Sequence, residues 1–230
     1  MKRLVLLGEG HGEVSALPIL ISKLLQEKRA GVSLYLDREV IRTSPSHLVK
    51  WNKSENQADY SKWISRVALA ARRRDVGGIL AIYDGDAKLF PPGSASPFCA
   101  ATAAKSMAAT AVSAGAGKMF SLSVVFACSE YETWLVAGAE SLAGRHLNDG
   151  RLALPAHVKF PAGDVESHGK RWLEQNCASY RPTRDQGLLT ELLDLQSVRA
   201  KKLRSFARLE HAIDQLLEAV EKDRHISTPG

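Results

Sequence analysis

The chain has 230 residues, a formal net charge of +6 at pH 7 and 45% hydrophobic residues. It is long enough for one α/β domain with a substantial core plus an appendage, and no apolar run reaches the roughly 18 residues of a membrane span. The three cysteines, Cys99, Cys128 and Cys177, match neither a zinc-binding spacing nor a disulfide framework. These features exclude membrane-spanning and disulfide-rich classes, and they predict a cytoplasmic protein with reduced cysteines.

The first 142 residues alternate between strand-like and helix-like patterns, which is typical of a parallel α/β sheet. Short apolar runs predict the strands, and apolar residues at helical spacing predict the helices between them. In chain order, the sequence predicts a strand at 3–7, a helix at 13–29, a strand at 32–41, a loop at 43–57, a helix at 58–74, a strand ending at Asp84, a loop at 88–98, a helix at 99–114, a strand at 120–128 and a helix at 130–142.

The alternation of strand-like and helix-like patterns ends after residue 142. Residues 143–165 are rich in glycine and proline, and helical segments follow near 166–176, 185–195 and 204–222. We therefore expect an α/β core at 1–142, a helical C-terminal extension packed on it at 143–222, and a flexible tail at 223–230. The predicted fold class is a largely parallel, Rossmann-like sheet flanked by helices.

Three predicted strands are each followed by a pair of acidic residues: Glu9 and Glu13, Asp84 and Asp86, and Glu130 and Glu132. The carboxyl ends of parallel strands lie along one edge of a sheet, where ligands bind. Like charges about 4 Å apart repel by about 4 kcal/mol at an effective dielectric near 20. Such an edge favours divalent cations and hence metal-assisted phosphoryl chemistry.

Each acidic pair also has an ordinary interpretation. Asp84-Gly85 is a turn dipeptide, and Glu13 or Glu132 can stabilise the first turn of a helix through its dipole. A strand followed by Asp-x-Asp also occurs in haloacid-dehalogenase-like phosphatases and in glycosyltransferases that hold a metal-bound sugar nucleotide. The segment at 114–119 lacks the glycine and hydroxyl residues of a P-loop and is rejected as one.

Basic residues form separate groups elsewhere in the chain: Arg72 to Arg74, Lys50 with Lys53, and Arg199 to Arg204 with Arg208. A basic protein with an acidic cluster can hold a polyanion while metal ions bridge that polyanion to the carboxylates. The alternative is that each group is a solvated helix face. The residues predicted to bind a nucleic-acid backbone are Lys201, Lys202, Arg204 and Arg208.

The order of the acidic segments resembles the Toprim superfamily of topoisomerases and primases. In that family an early strand ends in Glu and a later one in Asp-x-Asp, which match Glu9 and Asp84/Asp86 here. The chain is closer to a bacterial Toprim-like family of unknown function, related to nuclease domains of the overcoming-lysogenisation-defect group. The segments that carry this resemblance are Gly8–Glu13, Ile82–Asp86, Glu130–Leu135, Tyr180 with Thr183 and Asp185, and Ser205-Phe206.

The resemblance implies Mg²⁺ or Mn²⁺ as cofactor, a nucleic-acid substrate, and an ATPase partner protein in a phage-defence setting. Under the leading hypothesis, a metal-dependent nuclease, Glu9, Asp84 and Asp86 bind one metal ion, and Glu13 and Glu132 complete a second site or orient the attacking water. Two alternatives stay open: a catalytically silent Toprim-like subunit that docks on an ATPase, and a metal-dependent small-molecule phosphatase or phosphotransferase.

Overall fold

A parallel sheet forms the centre of the protein. The computed structural model describes residues 1–28, 34–43, 48–52, 54–55, 57–85, 99–160 and 168–230. The strands are β1 (Lys2–Gly8), β2 (Leu34–Leu36), β3 (Ile41–Arg42), β4 (Lys50–Asn52), β5 (Gln57–Asp59), β6 (Val76–Asp84), β7 (Ser121–Ala127) and β8 (Ser227–Pro229). The helices are α1 (His11–Lys28), α2 (Ser61–Ala71), α3 (Ala100–Thr110), α4 (Glu132–Ala137), α5 (Gly169–Asn176), α6 (Pro182–Leu192), α7 (Leu195–Ala200) and α8 (Arg204–Glu221).

The central sheet has the order β2-β1-β6-β7-β8, and the short β3 pairs with the end of β1. Every pair in it is parallel, as predicted for an α/β protein. β4 and β5 form a separate antiparallel pair, where the sequence predicts a loop at 43–57 and the start of a helix at 58. The sequence of that stretch is polar, and its alternation of apolar and polar residues is too short to predict a strand.

Both faces of the sheet are covered, because alternate residues of each strand point to opposite sides. On one face, residues such as Leu6 and Ile82 share a buried cluster with α1, α4 and the C-terminal helices. On the other, Leu7 and Tyr83 share a cluster with α2 and α3. The predicted C-terminal extension thus packs on the sheet and contributes to a core shared with residues before 142.

The tail predicted to be flexible is instead an edge strand. Within it, β8 pairs in parallel with β7, with Leu122 opposite Ser227 and Val124 opposite Pro229. The Gly230 N–H donates to the Val124 carbonyl oxygen at 2.9 Å. The prediction of a flexible 223–230 segment is wrong, because backbone pairing to an open sheet edge requires little from the side chains.

Within the described residues, the strand predicted at 32–41 is instead two short strands, β2 and β3, and the other strand and helix predictions are close to the observed elements. The helix predicted at 130–142 ends at Ala137 and continues as a short 3₁₀ turn, Ala139–Ser141. The loop predicted at 88–98 lies outside the described residues. Among the residues that are described, no helix is long and apolar enough to cross a membrane.

Candidate active site at the carboxyl edge of the sheet

The three acidic segments follow three adjacent strands. β6 lies between β1 and β7, with Leu7 opposite Ala81 and Asp84 opposite Ala127. Since all three strands are parallel, their carboxyl ends open on one edge of the sheet. The sequence-based prediction that these segments share an edge is therefore confirmed.

Glu13 closes the turn that carries Glu9. Helix α1 begins at His11, so Glu13 lies in its first turn, with only 5% of its surface exposed. Its Oε2 accepts hydrogen bonds from the backbone N–H groups of Glu9 (2.8 Å) and Gly10 (2.9 Å). This is the reciprocal half of a capping box, which satisfies amides that the helix leaves unpaired. Glu13 therefore shapes the backbone that holds Glu9.

Asp84 joins the ends of all three strands. Its backbone N–H donates to Glu9 Oε2 at 3.4 Å, and its own Oδ1 accepts from the Tyr131 N–H at 2.8 Å. Gly85 follows directly and donates its N–H to the Ala127 carbonyl oxygen at 2.7 Å. A Cβ on Gly85 would lie 2.8 Å from that same oxygen, so glycine permits the close approach of β6 and β7. Asp86, predicted as a metal ligand, lies outside the described residues.

The two glutamates after β7 have different surroundings. Glu130 Oε1 accepts the Lys170 N–H at 2.6 Å and thereby caps the start of α5. Glu132 is 3% exposed, and its Oε1 accepts a hydrogen bond from the Tyr180 hydroxyl at 3.1 Å. Glu130 thus has a structural role, whereas Glu132 lies inside the protein behind the edge.

The electrostatics of the edge are unfavourable without a counter-charge. Burial raises the pKa of Asp84 well above its usual range, and the negative charges of Glu13, Glu132 and Glu9 raise it further. The hydrogen bond from the Tyr131 N–H acts in the opposite direction. Burial also raises the pKa of Glu132, although its hydrogen bonds favour the ionised form. A carboxyl cluster with perturbed pKa values at a strand edge is a functional-site candidate.

A layer of buried polar side chains from α6 supports this edge. The Tyr131 hydroxyl lies 2.8 Å from Thr190 Oγ1, while Gln186 contributes a hydrogen bond to Glu132. Gln186 packs over α1 so closely that a Cβ on Gly12 would lie 2.0 Å from its Oε1. Gln186 and Thr190 were not among the predicted site residues. Their signal in the sequence is a polar pair, four residues apart, on the buried side of the amphipathic helix α6.

The oxygen atoms that these side chains offer as ligands are chemically suited to a hard divalent cation. Glu9 and Asp84 offer carboxylate oxygens, the ligands that Mg²⁺ prefers, and Mg²⁺ needs only one or two carboxylates besides water and phosphate oxygens. Within the described part of the chain, no three His, Cys, Asp or Glu side chains are grouped closely enough to hold a metal ion. The ligand set proposed from the sequence therefore depends on Asp86 as well as on Glu9 and Asp84.

The residues predicted to bind nucleic acid lie around the start of α8. Lys201 forms an exposed ion pair with Glu140 at 2.7 Å. Lys202, Arg204 and Arg208 are exposed and form no ion pair with a described carboxylate. The Ser205 hydroxyl accepts a hydrogen bond from Trp134 Nε1 at 3.0 Å, which ties the start of α8 to α4. The structure thus joins this basic segment to the helix that follows Glu130.

Comparison with known proteins identifies the family but not an activity. The chain matches the model of a domain of unknown function, DUF4276, over residues 8–214. Searches of curated proteins and of solved structures found no match. The matched range begins at the last residue of β1, includes all three acidic segments and ends within α8. Because the match extends over most of the 230 residues, the chain belongs to the DUF4276 family.

Proposed function

We propose that this protein is a Mg²⁺- or Mn²⁺-dependent nuclease that hydrolyses nucleic-acid phosphodiester bonds at the carboxyl edge of its sheet. The observation that carries the proposal is that Glu9, Asp84 and Glu132 follow three adjacent strand ends, where burial and its acidic neighbours raise the pKa of Asp84. Such a cluster is costly to maintain unless a cation compensates its charge. The Toprim-like order of the motifs supports the same chemistry.

The side chains have separate roles in this proposal. Glu9 and Asp84, together with Asp86, would hold the cation, which when bound would offset their charge and polarise a phosphate oxygen. Glu13 is a positioning residue, because its carboxylate fixes the amides of Glu9 and Gly10. Tyr180 orients Glu132 through its hydroxyl, and Glu132 would in turn orient the attacking water.

Cleavage of labelled DNA and RNA oligonucleotides tests this proposal. The wild-type protein should cleave at least one of them with Mg²⁺ or Mn²⁺ and not with excess chelator. Asp84→Asn, and the double variant Asp84→Ala with Asp86→Ala, should lose cleavage while keeping the fold. Glu140→Gln, which alters an exposed carboxylate paired with Lys201, should cleave like the wild type. Undiminished cleavage by the double variant would contradict the assignment.

A second candidate is a catalytically silent subunit that acts with an ATPase. It is favoured by the hydrogen bonds within the protein that already engage all four described carboxylates of the edge, Glu9, Glu13, Asp84 and Glu132. Cleavage assays with and without a co-purifying ATPase separate the two candidates. Activity that appears only with the partner would identify a dependent subunit, and turnover of a generic phosphomonoester without nucleic-acid cleavage would identify a phosphatase.

A further inference from the structure

We infer that the nucleic-acid backbone is held in a basic cleft along α2, on the opposite face of the sheet from α8. This inference rests on the proposed function and deepens it by naming the surface that binds the substrate. The cleft is open and has a volume of about 670 Å³. The residues that line it are Thr43, Leu48, Lys62, Ser65, Arg66, Leu69 and Arg72.

The charges in this cleft are available for a ligand. Lys62, Arg66 and Arg72 line it, and none of them forms an ion pair with a carboxylate of the described residues. Their neighbours differ: Arg73 pairs with Asp37 and Glu39, and Arg74 pairs with Asp75. None of the described residues that line the cleft is acidic. Three cations and two hydroxyl side chains in one cleft wall favour a phosphate-bearing ligand.

The cleft lies beside the candidate active site. Thr43, on its wall, donates its backbone N–H to the Gly8 carbonyl oxygen at 2.8 Å, directly before Glu9. On α2, the ring of Trp63 packs edge-on against Tyr83, which precedes Asp84, with a centroid distance of 6.3 Å. Burial raises the pKa of the Tyr83 hydroxyl, and the positive charge of Arg66 acts against that rise. The start of α2 therefore brings its cations next to the ends of β1 and β6.

The spacing of the cations suits a polymer better than a single small anion. At 1.5 Å rise per residue, Lys62 and Arg72 are separated by about 15 Å along the helix. One strand of a duplex carries a phosphate about every 3.4 Å along its axis, so the cleft can accompany about four of them. A polymer held along α2 would have one end of its bound segment beside Glu9 and Asp84, where the cation would bridge it to the carboxylates.

Binding measured without cleavage tests the inference. Fluorescence anisotropy with a labelled oligonucleotide in excess EDTA would compare the wild type with Lys62→Glu/Arg72→Glu, which changes two exposed side chains. Lys2→Glu/Lys118→Glu makes the same change in charge on exposed residues at the amino edge of the sheet and serves as the matched control. Lys202→Glu/Arg204→Glu tests the segment near α8 as the competing surface. The α2 variant should bind at least about tenfold more weakly, and the slope of log affinity against log salt should fall by about 1.4 to 1.8 for two lost phosphate contacts.

Arg66→Gln provides a second variant that removes one charge without reversing it, and circular dichroism would check that each variant is folded. Equal affinities of the α2 variant and the wild type, or a loss confined to the α8 variant, would overturn the inference. So would binding of inorganic phosphate or a mononucleotide without any binding of oligonucleotides. Failure of the nuclease proposal has a different signature, because the wild type would then bind the oligonucleotide through α2 and leave it uncut with Mg²⁺.

Discussion

Replacing Asp84 with asparagine should stabilise the metal-free protein at pH 8. The substitution removes a negative charge from a buried position next to Glu9, Glu13 and Glu132. The amide oxygen of asparagine can still accept the hydrogen bond from the Tyr131 N–H, so the local structure is preserved. A substitution at the centre of a candidate active site that raises stability is the expected result of removing functional strain.

The sign follows from proton linkage. A carboxyl group whose pKa is raised in the folded state binds its proton more tightly there than in the unfolded chain, so stability falls as pH rises from about 4 through the folded pKa. At pH values above the folded pKa, each unit by which the pKa of Asp84 is raised lowers the free energy of unfolding of the wild type by about 1.4 kcal/mol. In the variant, a neutral acceptor replaces a charged one in the hydrogen bond from the Tyr131 N–H, which costs about 1 kcal/mol. For a chain of this size, 1 kcal/mol corresponds to about 2–4 °C in Tm.

Thermal unfolding followed by circular dichroism in EDTA, at pH 5 and pH 8, measures the effect. The advantage of Asp84→Asn should be largest at pH 8 and should shrink at pH 5. Asp149→Asn is the control with the opposite sign, because hydrogen bonds from Arg151 lower the pKa of Asp149, and that variant should lose stability at pH 8. Mg²⁺ at ten times its Kd should narrow the difference, since it stabilises the wild type by about 1.4 kcal/mol and the variant binds it poorly. An Asp84→Asn protein less stable than the wild type at both pH values would show that the buried charge of Asp84 does not destabilise the fold.

Three further predictions concern the supporting structure. Gly12→Ala should lower stability by about 1–3 kcal/mol, measured by denaturant unfolding, because its Cβ would meet both Gln186 Oε1 and the Pro182 carbonyl oxygen; an unchanged midpoint would show that α1 and α6 can separate freely. Tyr180→Phe should lower the free energy of unfolding by about 1–3 kcal/mol, because it removes the hydroxyl that donates to Glu132. The loss of stability should be greater at pH 8 than at pH 5, and an equal loss at both pH values would mean that Glu132 is protonated throughout. Deletion of residues 227–230 should lower Tm by removing β8, whereas an unaltered Tm would show that this strand contributes nothing.

The carboxyl edge could be predicted because its pattern is local. Each of β1, β6 and β7 is a short apolar run followed by an acidic residue, and both the strand and its end can be read from consecutive positions. Parallel pairing then follows from the helices between them. That the ends of β1, β6 and β7 are adjacent follows from the order of strands in the sheet, which no local sequence pattern predicts.

Other features depend on contacts between distant parts of the chain. The strand β8 has the sequence Ser-Thr-Pro and no apolar alternation, and it forms because β7 offers an open edge. Arg73 forms ion pairs with Asp37 and Glu39, which are distant in sequence, whereas the neighbouring Arg72 lines the α2 cleft. Arg72, Arg73 and Arg74 are consecutive and chemically identical, so the sequence alone could not assign them separate roles.

Mn²⁺ binding, followed by electron paramagnetic resonance of the free ion, tests for the proposed cation site at the carboxyl edge of the sheet. The wild type should bind Mn²⁺, and Mg²⁺ should compete for the same site. Glu9→Gln and Asp84→Asn should each lose this binding, whereas Glu130→Gln should keep it, since Glu130 caps α5 and is not assigned to the cation. Mn²⁺ binding of equal strength in the wild type, Glu9→Gln and Asp84→Asn would contradict a metal site at this edge of the sheet.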